Sequence, residues 1–302
     1  MSISSYLKII GRGSKGSGDL TREQAQAVFS KILSGEVSDL ELGAFCIAMR
    51  IKGETVPELL GFMDAVEPHV VSLETTSKPT IILPSYNGAR KQINLTPLLA
   101  GLLVKNGFHV VVQGIIEDAT RVTSYEIFQH LNWPILIKAE DFNQLLSLNR
   151  PIFCPLQVLS PQLQKMLDLR QQIGLRNSSH VLAKLINPFK TPVWQVSNFT
   201  HPEYPLKLKE YFLAQSANAI LMRGNEGEPT ASFHRLPEMS FLSADQSSRL
   251  TAEERFEFTV PFTEIDAEST STWTTQVLSG KALPPDSLLR QVAQIQQQVS
   301  TS

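Results

Sequence analysis

Few side chains in this chain have the type and spacing that chemistry requires. Cys46 and Cys154 lie far apart, without a CxxC or a Cys/His cluster. This argues against a disulfide framework and a structural zinc site, and leaves buried thiols. His69, His109, His130, His180, His201 and His234 show no metal-ligand spacing, and no Ser/His/Asp or Cys/His arrangement follows from spacing. The reading is therefore of no catalytic residue, no metal and no cofactor. The run Gly11-Arg12-Gly13-Ser14-Lys15-Gly16-Ser17-Gly18 is glycine-rich, but it lacks GxxxxGK[ST] spacing and no buried strand precedes it. Its glycines supply flexibility, with Arg12 and Lys15 available to phosphates.

Charge is the more informative chemistry. The chain has 302 residues, 42% hydrophobic and 19% charged, with a formal net charge of −2. That total does not suggest a polyanion binder, yet its distribution does. Residues 1–75 carry 7 basic and 10 acidic side chains, residues 76–223 carry 15 and 8, and residues 224–302 carry 5 and 11. Screening over about 8–10 Å lets a local basic region set the local field whatever the total.

The elements that position these charges fall into two kinds. Thr21 with Gln24, Ser38 with Glu41 and Thr55 with Glu58 each have the spacing of a capping box at a helix start. Apolar residues recur behind them at helical spacing, so residues 20–68 read as a compact helical unit. From residue 79 short apolar runs alternate with helical segments. Strands are expected at Thr80–Leu83, Val110–Val112, Ile135–Ile137, Val193–Val196 and Ala219–Met222, with helices at Thr96–Lys105, Ser124–Leu131, Pro161–Gln172 and Tyr204–Gln215. Such alternation predicts an α/β fold with a mostly parallel central sheet. Ser287–Val299 reads as an amphipathic terminal helix. The domain division follows: 1–74 helical, completed by helices from about 148–190, and 75–302 α/β. No run is long and apolar enough for a membrane helix, and residues 1–8 lack signal-peptide blocks, so a cytoplasmic address is expected.

Two stretches carry a resemblance. Leu33-Ser34-Gly35-Glu36-Val37-Ser38-Asp39 with Met49-Arg50-Ile51-Lys52-Gly53-Glu54-Thr55 resembles the N-terminal helical domain of the anthranilate phosphoribosyltransferase and nucleoside phosphorylase family, glycosyl transferase family 3. Arg170–Arg176 and Ala183-Lys184-Leu185-Ile186-Asn187-Pro188 are similar to that family's RRELGxR and GPLLNP segments. The resemblance implies a small helical domain and a larger α/β domain. His201-Pro202-Glu203-Tyr204 also resembles a family loop, read as structural.

The family's functional motifs have changed. Its first α/β strand ends in GTGGD, whose glycines let backbone N–H groups close on a diphosphate, a grip that needs close backbone approach. Here the same place reads Leu83-Pro84-Ser85-Tyr86-Asn87-Gly88-Ala89, a degenerate phosphate loop from Pro84 to Ala89. Proline removes a donor and Tyr86 fills the space, packing there in preference to stacking on a base. The magnesium-binding Asp-Glu pair is replaced by Arg223-Gly224-Asn225-Glu226-Gly227-Glu228-Pro229, in which Glu226 and Glu228 read as solvated surface carboxylates. The KHGNR loop has become Val112-Gln113-Gly114-Ile115-Ile116.

These departures, with Arg90-Lys91 and Arg176-Asn177-Ser178, resemble the YbiB-type subgroup of the family. That resemblance implies a dimer that binds DNA and RNA without sequence preference. Sequence-independent binding needs only cations spaced to meet phosphates, and the candidates, on loops expected to line the old substrate cleft or the adjacent domain edge, are Arg12, Lys15, Arg90, Lys91, Arg170, Arg176, Lys184, Lys190 and Arg223. Dimerisation has its own rationale: Leu40, Leu42, Phe62 and Met63 belong to a second apolar face on the helical unit that needs a partner, either a second copy or, for part of it, the helices at 161–186 of the same chain. The alternative is an active glycosyl or phosphoribosyl transferase with an altered substrate, retaining Asn87-Gly88-Ala89, Asn94-Leu95-Thr96, Arg170 and Arg176. No membrane partner is expected.

Overall fold

The computed structural model describes residues 2–13, 16–75, 78–243 and 247–300. Its helices, in chain order, are α1 Ser4–Ile10, α2 Arg22–Leu33, α3 Asp39–Lys52, α4 Val56–Val66, α5 Thr96–Lys105, α6 Ser124–His130, α7 Phe142–Leu146, α8 Leu156–Leu159, α9 Pro161–Ile173, α10 Ser179–Leu182, α11 Tyr204–Ala214, α12 Ala267–Leu278 and α13 Asp286–Val299. The strands are β1 Thr80–Ser85, β2 His109–Gly114, β3 Ile152–Pro155, β4 Trp194–Phe199, β5 Ala219–Arg223, β6 Arg235–Leu236, β7 Met239–Leu242, β8 Ser247–Leu250 and β9 Glu253–Glu254. They form two compact units, residues 1–71 with 159–188 and residues 72–158 with 189–302.

The first unit is helical because its starts are fixed locally and its apolar faces meet. The Thr21 and Ser38 boxes close reciprocally, Gln24 N–H donating to Thr21 Oγ1 at 3.2 Å and Thr21 N–H to Gln24 Oε1 at 3.0 Å. Phe29, Phe45 and Phe62 pack as an aromatic cluster, with ring centroids 5.0–6.3 Å apart. Glu58 does more than cap α4. It is fully buried and accepts from Leu20 N–H, Thr55 N–H, the Thr55 hydroxyl and Lys52 Nζ, the last at 2.7 Å. Lys52 is also paired with Asp19. Burial alone would lower the Lys52 pKa, but these two carboxylates raise it above the ordinary value.

In the second unit a seven-stranded sheet runs β3-β2-β1-β4-β5-β7-β8. Its first five strands are parallel and its β7–β8 edge is antiparallel. Strands β1 and β2 are buried along their whole length, which is why both read as continuous apolar runs. One face carries the main core, built from Ile81, Leu83, Val110, Val112, Val196, Ile220, α5 and α13. The Ile135–Ile137 strand is a correction: only Ile135 makes a bridge, to Phe153, and Ile137 is 74% exposed. The strand beside β2 is Ile152–Pro155 instead.

Candidate functional site: a phosphate loop closed by the chain's own carboxylates

Parallel strands deliver their following loops to one edge of the sheet, where α/β proteins place their sites. At that edge the loop after β1 meets the loop after β5, and the meeting is made by two glutamates. Glu228 is buried. It accepts from Asn87 N–H at 3.0 Å and Gly88 N–H at 2.8 Å, from the Thr96 hydroxyl at 2.8 Å, and from the Ser85 hydroxyl. Thr96 is the first residue of α5, so this anion also sits at the positive end of a helix dipole. Glu226 serves the next turn, accepting from Arg90, Lys91 and Gln92 N–H groups, the last two at 2.9 Å. Arg121 lies 3.6 Å from Glu226 and donates to the Gly88 carbonyl at 3.1 Å. Reading these two glutamates as solvated surface carboxylates is thus overturned: five amides of the loop, unsatisfied by strand or helix, draw them in.

Two glycines make the approach possible. Gly88 has φ +65°, and a Cβ there would lie 2.8 Å from the Val122 carbonyl oxygen, with which the neighbouring Ala89 N–H is bonded at 3.0 Å. Gly227 has φ +88°, and a Cβ there would lie 1.7 Å from Asn87 Nδ2, which donates to the Gly227 carbonyl at 2.9 Å. Behind them Ser85, Ser124 and Asn94 form a buried hydroxyl–amide chain, with Ser85 and Ser124 oxygens 2.6 Å apart. Tyr86 is buried, and burial foremost, with the neighbouring Cys154, pushes its hydroxyl far above the ordinary tyrosine value. Its ring packs inside the protein, with no face presented to a base.

The cationic residues divide between the units. Arg90 and Lys91 are exposed in the loop held by Glu226, and Arg223 is exposed at the end of β5, three residues before Glu226. These three flank one loop. Lys190 is exposed but precedes β4, on the opposite side of the strand from that loop, so the structure does not bring it to them. Among the described residues the Arg90, Lys91, Lys190 and Arg223 side chains make no ion pair, whereas Arg22, Lys52, Arg121, Arg249 and Arg290 do.

In the first unit, α9 ends at Gly174 and Asn177 Nδ2 donates to the Met166 carbonyl at 2.9 Å, turning the chain into α10. This gathers Arg170, Arg176 and Lys184 around His180. Burial first, then Arg176, lowers the His180 pKa to about 3, with Arg170 and Lys184 adding to the same effect. Arg12 is exposed beyond α1, and Lys15 lies outside the described residues. Sequence reasoning missed Glu226 and Glu228 as structural anions. Among the described residues no group of three or more His, Cys, Asp or Glu side chains is placed to hold a metal, and no helix is long and apolar enough to cross a membrane.

Comparison with known proteins places this architecture. The family model described as "Glycosyl transferase family, helical bundle domain" matches residues 4–67. An uncharacterised Escherichia coli protein, YbiB, is 40% identical over 291 residues, covering 95% of this chain and 91% of that one. The chain belongs to glycosyl transferase family 3. Within it, an anthranilate phosphoribosyltransferase of Leifsonia xyli is 26% identical over 209 residues, covering 69% of this chain and 60% of the relative. The fold is that of the Thermus thermophilus anthranilate phosphoribosyltransferase crystal structure, with a TM-score of 0.72 at 20% identity over 94% of this chain and 86% of that one. The Saccharomyces cerevisiae enzyme in complex with PRPP and Mg superposes with a TM-score of 0.71 at 13% identity, over 93% and 80%.

Proposed function

We propose that the protein binds DNA and RNA without sequence preference, on a transferase scaffold whose phosphate grip is closed. One observation supports this above the others: the amides of Asn87 and Gly88 are engaged by buried Glu228, while Arg90 and Lys91 beside them are exposed and unpaired. A sugar diphosphate entering that loop would have to displace a carboxylate already holding four donors. A polyanion needs only outward cations spaced to meet its phosphates.

The contacts proposed are Arg90, Lys91 and Arg223 in the α/β unit, with Lys190 apart from them, and Arg170, Arg176 and Lys184 in the helical unit, with Arg12 and Lys15 from the glycine-rich segment. Arg170, Arg176 and Lys184 cluster around His180 in that unit, which favours the second group. We propose further that the protein acts as a cytoplasmic homodimer through its helical unit, which doubles the number of phosphate contacts per complex.

Gel-shift titration on unrelated DNA and RNA sequences at several salt concentrations tests the reading. Similar affinities across sequences are expected. The log–log salt slope should be about −0.9 per phosphate neutralised on duplex DNA. Removing charge at Arg90, Lys91 and Lys184 together should flatten it by about three contacts. Micromolar calorimetric binding of phosphoribosyl pyrophosphate with magnesium, without nucleic-acid binding, would return the protein to the transferases.

A further inference from the structure

At the edge where the loops after β1 and β5 meet, the loop after β4 stands between them, because the sheet order sets β4 beside both β1 and β5. It reads Phe199-Thr200-His201-Pro202-Glu203-Tyr204 and runs into α11. Three ring-bearing residues fall within six positions and none is buried: Phe199 and Tyr204 are half-buried, and His201 is exposed. The His201 and Tyr204 rings already lie together, with centroids 6.5 Å apart and planes 43° apart.

The root of this loop is fixed to its neighbour. Gly224 N–H donates to the Phe199 carbonyl at 3.0 Å, and Asn198 Nδ2 donates to the carbonyl of Gly227, next to the Glu228 that plugs the phosphate loop. Parallel pairing sets Phe199 opposite Arg223. Val196, Ile220 and Met222 belong to the main core, so alternation sends the Phe199 and Arg223 side chains to the other face of the sheet, where Arg223 is exposed. At the far end of the loop, Lys207 Nζ stands 5.9 Å from the centre of the Tyr204 ring. Each end of the loop thus sets a ring beside a cation.

Charge alone does not account for this arrangement. From Phe199 to Arg223 the chain sets Lys207, Lys209 and Arg223 against Glu203 and Glu210, a small surplus for gripping phosphates. Aromatic side chains supply the other sequence-tolerant contact, since every base has a π-face that can stack on a ring. A base within a duplex is stacked and paired inside the helix, so only an unpaired base reaches a ring. Tyr86 offers no such face, whereas the β4 loop carries its rings at the surface.

We propose that Phe199, His201 and Tyr204 form a platform on which unpaired bases of a single strand stack. This rests on the nucleic-acid reading and adds to it a contact with the bases. Fluorescence anisotropy on the full chain compares a labelled oligothymidine strand with an equally long strand of abasic sites, which has the same phosphates and no bases. The thymidine strand should bind about tenfold more tightly, the scale of one base stacked on one ring. His201→Ala and Tyr204→Leu should each cut that advantage about threefold and together abolish it, while the abasic strand keeps its affinity and its salt slope. Tyr204→Phe, which keeps the ring, should keep the advantage.

Equal binding of the two strands by the unaltered protein overturns the platform and leaves the polyanion reading standing. Binding of neither strand overturns both. An undiminished thymidine advantage in the His201→Ala/Tyr204→Leu protein also overturns the platform, as does an equal loss for both strands, which would make the loop a scaffold for the cations. His201 is exposed, so His201→Ala alone, with circular dichroism unchanged, carries the test if Tyr204→Leu fails to fold.

Discussion

Glu228 is an anion held inside the protein by neutral donors: two amides, two hydroxyls and the end of α5. Glu228→Ala leaves these donors facing a void, and a cost of about 3–5 kcal/mol in urea unfolding is expected, as for removal of one side of a buried charged network. An unaltered denaturation midpoint would mean the loop does not depend on its plug. Gly227→Ala attacks the same contact from the backbone, since its Cβ meets the Asn87 amide and its φ is positive. It should cost a smaller amount, about 1–3 kcal/mol, by the same measurement. At His180 the prediction concerns pH. Its folded pKa of about 3 lies below the ordinary value of about 6.5, so the folded side chain stays neutral where the unfolded one takes up a proton. Stability from this site is therefore complete above pH 6.5 and declines as pH falls towards 3. His180→Asn should narrow the difference between urea midpoints at pH 7 and pH 4.5; an equal difference would show that other groups carry the acid loss.

At the scale of elements, the loop after β1 is shaped by the loop after β5. Amides of Arg90, Lys91 and Gln92 all point at Glu226, and the Gln92 side chain accepts from Asn225 Nδ2 at 3.0 Å. Glu226→Ala should speed hydrogen exchange of these three amides at least tenfold while exchange in β1 and β2 stays slow, because only the loop contact is lost. Uniformly slow exchange in the variant would show that strand β1 alone fixes the loop. The sequence makes much of the surrounding fold readable. The spacing of Thr21 with Gln24 and of Ser38 with Glu41 marks the true starts of α2 and α3, because a capping box is a contact made within four residues. Fully buried β1 and β2, and the buried Ala219–Met222 stretch of β5, announce themselves as apolar runs. Ile135-Leu136-Ile137 looks the same in composition yet forms no strand, since burial on both faces depends on neighbours, and the place beside β2 goes to Ile152–Pro155, which follows Pro151 and ends on a proline. What closes the loop after β1 is not readable, because the partners of Glu228 lie 132–143 residues away and no periodicity marks a carboxylate that turns inward.

For the whole molecule, the proposed polyanion binding asks a chain with a net charge of −2 to gather enough cations. Its basic residues are divided between two units, so a second copy of the chain is the most direct way to enlarge the footprint. The apolar face first expected to join two copies needs correction: Phe62 and Met63 are buried within the helical unit's own core, and Leu42 is half-buried. What remains exposed is a stripe along α3, where Leu40 is 83% and Ile51 69% accessible, with Ala44 exposed and Ile47 half-buried between them. These four recur at intervals of three and four residues and so share one face of the helix. Packed against its own copy about a two-fold axis, the stripe would cover itself without requiring a different partner surface. Leu40→Glu/Ile51→Glu places like charges on both sides of such a contact, and the mass by light scattering should fall from two chains to one. Far-UV circular dichroism should be unchanged, because neither residue contributes to the core. The nucleic-acid salt slope should fall to about half in the same variant, since each complex then engages one set of cations. A variant that remains dimeric with an unchanged slope would place the contact elsewhere on the chain.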